Sequence, residues 1–574
     1  MSEQIPRLPA PRPGRCRDPR RATVDAEILA SIVLLAAVLV IGLASVGDYG
    51  ITIDEFNADD YGPKSLAWYS SGFTDRSSFQ NVEDTLWYYG PWSHMLIAAV
   101  QSLGIGDHWT VRHVVTLLTG LAGLAAIVPI GRSAVGRWAG LVALILCLTT
   151  GYIYGSIFFT PIDVPFLLAM TWSTLAIIVM AGRVVPSWRA TVAAGALTGL
   201  AIATRSSGLI AQVYLLLGMS LCALAALGRP GGTPRRDLLR IGARTVGALT
   251  LGWMTAYALW PWLQIGNPLV QFKLAFDLFA NHPNSFEMPV WGVTVTTTDL
   301  PWWYVPAQLL ARLPEGFLLL LAGGILLAVA AAYGFSHAGL RALRRRGPAG
   351  LRAAVVLLAR SRRCLLVWAA VVLPLGFIMV RHSTLYDGVR HVLFVIPMLA
   401  VIAGAGFLRL LPLARRVPLI AAATGGIYVG FSIWTLAVLH PLEYVAMNVL
   451  PGGVAGAHQR FDLDYWALAA TVGLRRLERR LDYQGRFAQE PPSITICLSY
   501  REALVAPLFR RPWRLETEPK RADYIIATER WRCADDIVDA VLIDEVRRFD
   551  RPFAWIYARP SPPAPALPAT VAPR

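Results

Sequence analysis

Two adjacent acidic side chains are the first residues of this sequence suited to chemistry. Asp54 and Glu55 follow shortly after the first long apolar run of the chain. A carboxylate held just above a bilayer can accept the proton of an attacking hydroxyl group, which makes it a candidate general base. The alternative is that Asp54 caps a helix beginning near Ala58, or that it is simply solvated. The pair therefore predicts a base site, with helix capping as its structural alternative.

A second candidate group lies in residues 381–391, with the sequence RHSTLYDGVRH. Arg381, Arg390 and His391 precede an apolar run, and Tyr386 lies among them. Side-chain charge there adds to the positive end of a helix dipole and its free N–H groups. The guanidinium donor fork matches phosphate oxygens. The segment predicts an anion site, and anchoring to lipid headgroups is the alternative.

Three more charged residues are candidates for the same pocket. Asp163 begins an apolar run, where it is either an N-cap followed by Pro165 in the first turn or an acid lining a cavity. Arg205 lies between two apolar runs without a hydrophilic loop, and a charge at that depth usually faces a cavity or a partner. Snorkelling to headgroups is the alternative for Arg205. Lys64 is a candidate for binding an anion, with a solvated lysine as the alternative.

The elements that must position these residues are membrane spans. Of the 574 residues, 55% are hydrophobic and 16% are charged, against roughly 25% charged in a soluble domain. So much apolar surface must face lipid. The net charge is +16, but the arginines lie between apolar runs. This placement indicates loops beside anionic headgroups and argues against nucleic acid as a partner.

The apolar runs predict an all-α polytopic membrane protein with about eleven transmembrane helices and a small C-terminal extracytoplasmic α/β domain. The predicted spans are residues 28–46, 114–130, 138–154, 164–181, 190–203, 208–227, 245–263, 317–333, 365–380, 392–408 and 417–439. Arginines concentrate in alternate loops, which predicts a cytoplasmic N-terminus and an exported C-terminus.

Composition divides the chain into four regions. Residues 1–27 are basic and predicted to be a disordered cytoplasmic tail, and residues 28–439 form the membrane domain, whose first outside loop spans 47–110. Residues 440–559 alternate strand-like and helical patterns, and the Pro/Ala-rich residues 560–574 are predicted to be disordered. Cys497 and Cys533 share the exported region, where a disulfide and two free thiols are both open.

Several short motifs together carry a family resemblance. They are IDE at 53–55, YG at 61–62, YYGP at 88–91, TPIDVPF at 160–166, LPWWY at 300–304, LYDGVRH at 385–391, HPLEY at 440–444 and DYW at 464–466. Over roughly residues 28–470 the chain resembles bacterial members of the type-C membrane glycosyltransferases of family 39. That group includes protein O-mannosyltransferases and the aminoarabinose transferase of lipid A. Ile162 stands where related proteins would carry a basic residue, which puts phosphate contact in that loop in doubt.

The resemblance implies transfer of a sugar from a polyprenyl-phosphate carrier to an acceptor outside the cytoplasm, usually with inversion. It implies Asp54 as the general base, Glu55 as its support and Asp163 at the cavity wall. The residues implied for the donor phosphate are Lys64, Arg205 and Arg390. The acceptor would be a lipid, a cell-envelope glycan such as lipopolysaccharide, or a protein, and membrane lipids are the remaining partners.

The resemblance implies a bacterial inner membrane protein with no certain cofactor, and a divalent metal stays an open alternative. A secondary transporter or lipid flippase is the alternative function, since it too has many spans and a charged cavity. Transporters commonly show inverted repeats and broken helices near the midplane. Here the candidate polar groups gather toward one face, which favours the transferase.

Overall fold

The structure of the protein is a computed structural model that describes residues 25–80, 83–229, 233–280, 285–346, 355–356, 358–488, 490–497, 506–530, 533, 537 and 539–560. The two tails predicted at 1–27 and 560–574 lie almost entirely outside these ranges. Residues 501–508, whose pattern predicts one of the helices of the C-terminal region, lie mostly outside them too. The predicted domain boundaries at residues 28, 440 and 560 stay predictions.

Helices dominate the described chain up to residue 483. In chain order they are α1 (Ala26–Ser45), α2 (Ile53–Asn57), α3 (Tyr61–Ser70), α4 (Trp92–Gln101), α5 (His108–Ala125), α6 (Ile127–Ala134), α7 (Ala139–Leu148), α8 (Gly151–Phe159), α9 (Asp163–Met180), α10 (Trp188–Ile202), α11 (Leu209–Leu227), α12 (Pro234–Leu259), α13 (Pro268–Ala280), α14 (Tyr304–Arg312), α15 (Glu315–Arg346), α16 (Arg362–Arg381), α17 (Ile396–Ala414), α18 (Pro418–Leu439), α19 (Gly453–Ala457) and α20 (Leu468–Tyr483).

Eight helical stretches in the described residues are long and apolar enough to cross a membrane, which confirms a multi-pass helical membrane protein. They are Ala26–Asp48, His108–Ala134, Asp163–Met180, Ser206–Leu227, Glu315–His337, Arg362–Arg381, Arg390–Ala414 and Pro418–Leu439. The pair α7 and α8, bent by 71°, adds a ninth if the two helices are counted as one span. The break falls at Thr149 and Thr150, whose hydroxyls donate to main-chain carbonyls one turn earlier.

The two remaining predicted spans differ from the expectation of about eleven. They correspond to α10, which has only 15 residues, and α12, which has 26 residues. Neither is among the stretches that meet the length and apolarity of a span. The two helices pack against each other through Gly195, Gly199 and Gly252. That close approach shelters α10, so a helix too short to cross alone is accommodated inside the bundle.

Two short helices after α1 shape the first loop. Thr52 and Glu55 form a capping box: the Thr52 hydroxyl accepts from the Glu55 N–H at 3.3 Å, and the Glu55 carboxylate accepts from the Thr52 N–H at 3.0 Å. This reciprocal pairing fixes a helix of only five residues. The same loop also contains the ten-residue helices α3 and α4.

The C-terminal region contains a five-stranded mixed sheet. Its strands are β3 (Ser493–Ile496), β4 (Arg514–Leu515), β5 (Tyr524–Thr528), β6 (Val541–Arg548) and β7 (Arg551–Ala558), while β1 (Glu287–Val290) and β2 (Val293–Thr296) form a separate hairpin. The order is β4-β3-β5-β7-β6, with β3 parallel to both neighbours and β7 antiparallel to both of its neighbours. The amphipathic helix α20 packs against β5, β6 and β7. A small α/β region is therefore present, and Cys497 and Cys533 are joined in a disulfide.

The first loop is held against the end of α10 by a close contact of main chains. The Gly90 N–H donates to the Thr204 carbonyl at 3.3 Å, and the Trp92 indole donates to the Thr204 hydroxyl at 2.7 Å. A Cβ on Gly90 would lie 1.5 Å from the Ala203 carbonyl oxygen. Only glycine allows this approach, and the approach sets Tyr89 beside Arg205.

Replacing Gly90 by alanine should therefore separate the loop from α10. We expect Gly90→Ala to lower the free energy of unfolding by about 1–3 kcal/mol, because main chain cannot move aside as a flexible side chain can. The measurement is thermal unfolding of the detergent-purified chain. Gly47→Ala is the control, since a Cβ at Gly47 meets nothing within 4 Å. Equal melting temperatures for the two variants would contradict the packing.

Candidate active site

Asp54 lies in the first turn of α2 and faces the segment that precedes α17. Its Oδ2 lies 3.0 Å from Nη1 of Arg390, and the side chains are 22% and 11% exposed. Asp54 thus caps neither α2, whose cap is Thr52, nor α3. The structure thus brings together the acidic residue and the cation of the two sequence motifs in one ion pair.

Arg390 contacts two aromatic rings and a second carboxylate. Its guanidinium carbon lies 4.9 Å from the centre of the Tyr386 ring and 4.8 Å from that of Trp466. A second carboxylate, Asp387 Oδ2, lies 3.5 Å from Nη1. Aromatic faces attract a cation while leaving its N–H groups available. Arg390 is therefore fixed in position but keeps donors for an anionic ligand.

Burial changes the acid–base behaviour of Asp54. Desolvation raises the pKa of Asp54 from 3.8 to about 6 because it disfavours the charged carboxylate. Arg390 lowers the pKa of Asp54, and the charges of Asp163 and Asp387 raise it. A carboxyl group with this pKa is largely deprotonated at neutral pH and is basic enough to receive a proton in a reaction.

Asp163 and Arg205 form a second ion pair in the same region. Asp163 Oδ1 accepts from Nη1 of Arg205 at 3.0 Å, and both residues are buried. The Arg205 guanidinium also lies 5.7 Å from the centre of the Tyr89 ring. Asp163 occupies the first turn of α9 and not its N-cap, which is Ile162. Arg205 is thus paired inside the protein and does not snorkel to headgroups.

Glu55 has a supporting position. Its side chain is fully buried, and one carboxylate oxygen completes the capping box of α2. The other oxygen lies 3.0 Å from Nε2 of His113 on α5. Glu55 therefore connects α2 to α5. Because Asp54 is the preceding residue of α2, this contact also restrains the position of Asp54.

Two predicted cations lie away from this group. Lys64 pairs with Asp60, one turn earlier in the chain. Arg381 is exposed at the last residue of α16. Within the described ranges neither forms an ion pair with Asp54 or Asp163, because the helix ends that carry them point their charges toward solvent or a local partner.

A cavity of ≈ 240 Å³ adjoins the ion pairs, with Arg205 in its lining. The polar part of the lining includes Tyr89, Arg205, Tyr386 and His391. The Tyr386 and His391 rings are in edge contact, with centres 4.8 Å apart. The apolar lining comes mainly from α11, α13 and α16, with Leu209, Ile210, Val213, Phe276, Phe377, Ile378 and Phe394. A cavity with cationic and phenolic groups beside a mostly apolar lining suits a phosphate attached to a hydrocarbon chain.

Sequence reasoning did not single out several residues of the site. Asp387 stands three residues before Arg390, and that spacing was the one available signal for it. Tyr89 and Trp466 fell inside recognised motifs without an assigned role. Arg530, which pairs with Asp387 at 2.9 Å, carried no signal, because its partner is more than a hundred residues away in sequence. No group of three or more His, Cys, Asp or Glu side chains converges as metal ligands in the described part of the chain.

Comparisons with known proteins find solved structures that are only distantly similar to this chain. It is similar to ArnT from Cupriavidus metallidurans in the apo state, with 18% identity, 92% of this chain and 97% of that chain covered, and a TM-score of 0.45. The ArnT structure bound to undecaprenyl phosphate gives 16% identity, coverage of 92% and 97%, and a TM-score of 0.41. The oligosaccharyltransferase AglB from Archaeoglobus fulgidus gives 12% identity, coverage of 87% and 69%, and a TM-score of 0.43.

Neither a family model nor a curated protein matches the sequence. At these identities and TM-scores the structural likeness does not decide the chemistry, which rests on the residues of the site.

The buried pair of Asp163 and Arg205 leads to a stability prediction. Asp163→Leu leaves a buried guanidinium without a counter-charge and should cost about 3–5 kcal/mol of unfolding free energy. Adding Arg205→Met should recover most of that loss, because no uncompensated charge remains. Thermal unfolding of the purified variants measures both effects.

The control is the exposed i,i+4 pair of Lys273 and Asp277. Asp277→Leu should change stability by no more than about 1 kcal/mol, since exposed pairs are weak. A double variant as unstable as Asp163→Leu alone would show that shape, and not charge, dominates at this position.

Proposed function

We propose that this chain is a glycosyltransferase that moves a sugar from a polyprenyl-phosphate donor to a hydroxyl acceptor on the extracytoplasmic face of the membrane. The observation that carries the proposal is the ion pair of Asp54 and Arg390 next to a largely apolar cavity, whose lining residue Tyr386 contacts Arg390. It supplies a base for the acceptor and a cation for a phosphate at adjacent positions. The acceptor is a lipid, a glycan or a protein.

The reaction is a single displacement at the anomeric carbon. The acceptor hydroxyl oxygen forms the new bond to that carbon while its proton passes to Asp54. The bond from the anomeric carbon to the phosphate oxygen breaks, and its electron pair leaves on the polyprenyl phosphate. Attack opposite the leaving group inverts the configuration of the sugar. Proton removal by a placed carboxylate contributes about 10²–10⁴-fold.

The role proposed for Arg205 and Arg390 is to neutralise the charge on the leaving phosphate. The donor phosphodiester carries one negative charge, and a second develops as the sugar departs. Arg205 lines the cavity, and Arg390 contacts both Asp54 and the lining residue Tyr386. Its aromatic neighbours do not use its N–H donors. Cations preplaced where charge develops stabilise the transition state more than the ground state. Tyr89, Tyr386 and His391 line the same wall and are proposed contacts for the donor.

The disulfide supports the orientation. Arg530, whose guanidinium reaches Asp387 in the site, belongs to the same C-terminal region as the Cys497–Cys533 bond. Structural disulfides persist in oxidising compartments and are rare in the cytosol. The arginine-rich loops on the other side predict the same orientation. We therefore propose a site on the extracytoplasmic face of a bacterial inner membrane, with the N-terminus in the cytoplasm.

Removing the base tests the mechanism. Asp54→Asn should lower turnover by at least about 10²-fold, since the amide cannot take the proton. The assay measures release of polyprenyl phosphate from polyprenyl-phosphate-linked pentoses and hexoses by purified protein supplied with membrane lipid extract. In the wild type, kcat/KM should fall as the pH drops below about 6, where Asp54 becomes protonated.

Asp60→Asn is the matched control, because Asp60 lies in the same loop and its side chain is 52% exposed. It should retain both turnover and the pH profile. Full activity of Asp54→Asn would remove the base from the mechanism. Sugar-independent solute uptake into proteoliposomes, without release of polyprenyl phosphate, would favour a transporter instead.

Sidedness is tested separately by thiol labelling in intact cells. Cys364 is exposed near the start of α16, and Ser70 is exposed at the end of α3, on the side of the site. A membrane-impermeant maleimide should label Ser70→Cys in a variant with Cys16 and Cys364 replaced by serine. In a Cys16→Ser variant, Cys364 should react only after permeabilisation. Labelling of both positions from outside would contradict the proposed topology.

A further inference from the structure

We propose that Arg530, carried by the C-terminal sheet region, is a positioning residue of the site that holds Asp387 and thereby keeps Arg390 on Asp54. This inference rests on the proposed glycosyl transfer and adds a role for the C-terminal region in it. Arg530 itself does not contact the substrates and takes no part in bond making, since it acts through Asp387.

Arg530 reaches into the site from just beyond β5. Its Nη1 lies 2.9 Å from Asp387 Oδ1 and 3.5 Å from Asp462 Oδ2, and it donates to the Tyr465 carbonyl at 3.4 Å. Its guanidinium carbon lies 5.1 Å from the centre of the Phe286 ring. Contacts in several directions fix where this charge sits, so it acts as a fixed counter-ion.

Asp387 is the residue that Arg530 holds. It is 5% exposed and adopts a φ of 58°, a left-handed conformation in a tight turn before Gly388. The Tyr152 hydroxyl donates to its main-chain carbonyl at 2.9 Å. The two carboxylate oxygens divide their partners, because Oδ1 faces Arg530 and Oδ2 faces Arg390 at 3.5 Å.

The result is a row of alternating charges from the C-terminal region to the base. In order, the row is Arg530, Asp387, Arg390 and Asp54, with successive separations of 2.9, 3.5 and 3.0 Å. Because Arg530 satisfies Asp387, Arg390 remains closer to Asp54 than to Asp387. Without Arg530, a buried carboxylate would lack its counter-charge and compete with Asp54 for Arg390.

The disulfide anchors the chain next to Arg530. Cys533 follows Arg530 closely in sequence and is bonded to Cys497 at the end of β3. β3 and β5 are parallel neighbours, so both segments that follow these strands leave the sheet at the same end. The disulfide joins these two segments. This anchoring gives a physical reason for a cross-link so near the charge that enters the site.

The inference predicts opposite shifts of the pH profile for two substitutions. The groups that act on Asp54 are Arg390, Asp163 and Asp387, with Tyr89 and Tyr386 coupled to it. Arg530→Ala exposes the charge of Asp387, which should raise the pKa of Asp54 and move the acidic limb of the rate profile up by about one pH unit. Asp387→Asn removes that charge and should move the limb down.

The experiment compares pH profiles of kcat/KM for polyprenyl phosphate release by full-length wild type, Arg530→Ala, Arg530→Lys and Asp387→Asn. Arg530→Ala should also lower kcat about 10–100-fold through displacement of Arg390, and Arg530→Lys should recover part of both effects. Arg521→Ala is the control, because Arg521 lies in the same region and its ion pair with Glu518 is exposed.

A double variant, Arg530→Ala with Asp387→Asn, removes both charges and keeps the test valid if Arg530→Ala folds poorly. Its acidic limb should coincide with that of Asp387→Asn alone. An unshifted limb in Arg530→Ala, or a further shift in the double variant, would overturn the positioning role. A wild type that releases no polyprenyl phosphate would instead overturn the proposed function, so the two failures are distinguishable.

Discussion

Burial of charge beside a membrane is the constraint on which the site depends. An isolated ion removed from water pays a large desolvation cost, and only an opposite charge at close range offsets it. The structure meets this condition by pairing Asp54 with Arg390 and Asp163 with Arg205 at 3.0 Å each. Each carboxylate therefore stays close to a guanidinium that can also attract a phosphate, and the same pairing that permits burial prepares the site for an anionic ligand.

The surrounding elements hold these pairs without relying on long helices alone. A capping box and the contact of Glu55 with His113 hold the five-residue α2 against α5. The close approach at Gly90 brings Tyr89 to Arg205. The rings of Tyr386 and Trp466 both contact the Arg390 guanidinium. Rigid support of this kind is what a site needs if charges are to be placed before the reaction begins.

The C-terminal region participates in this arrangement. Residues 440–467 are largely buried against the helical bundle, with Tyr444, Phe461 and Tyr465 among the most enclosed side chains. Arg548 donates to the carbonyls of Leu439 and His440, at the end of α18. The C-terminal region thus packs on the helical bundle and also contributes Arg530, which pairs with Asp387 in the site.

Sequence by itself determined the membrane character, most of the span positions, the small mixed sheet region and the two motifs that contain Asp54 and Arg390. These features are local, since hydropathy, turn chemistry and capping act over a few neighbouring residues. The number of full spans in the described residues differs from the predicted eleven, because α10 and α12 do not meet the length and apolarity of a span. Whether such helices can lie in the bilayer depends on their packing against other helices. Lys64 and Arg381 could not be separated from Arg390 by type or spacing. Only the tertiary structure decided which cations meet which carboxylates, because the partners of Asp54 and Asp387 lie 336 and 143 residues away, and no local pattern encodes a contact over that separation.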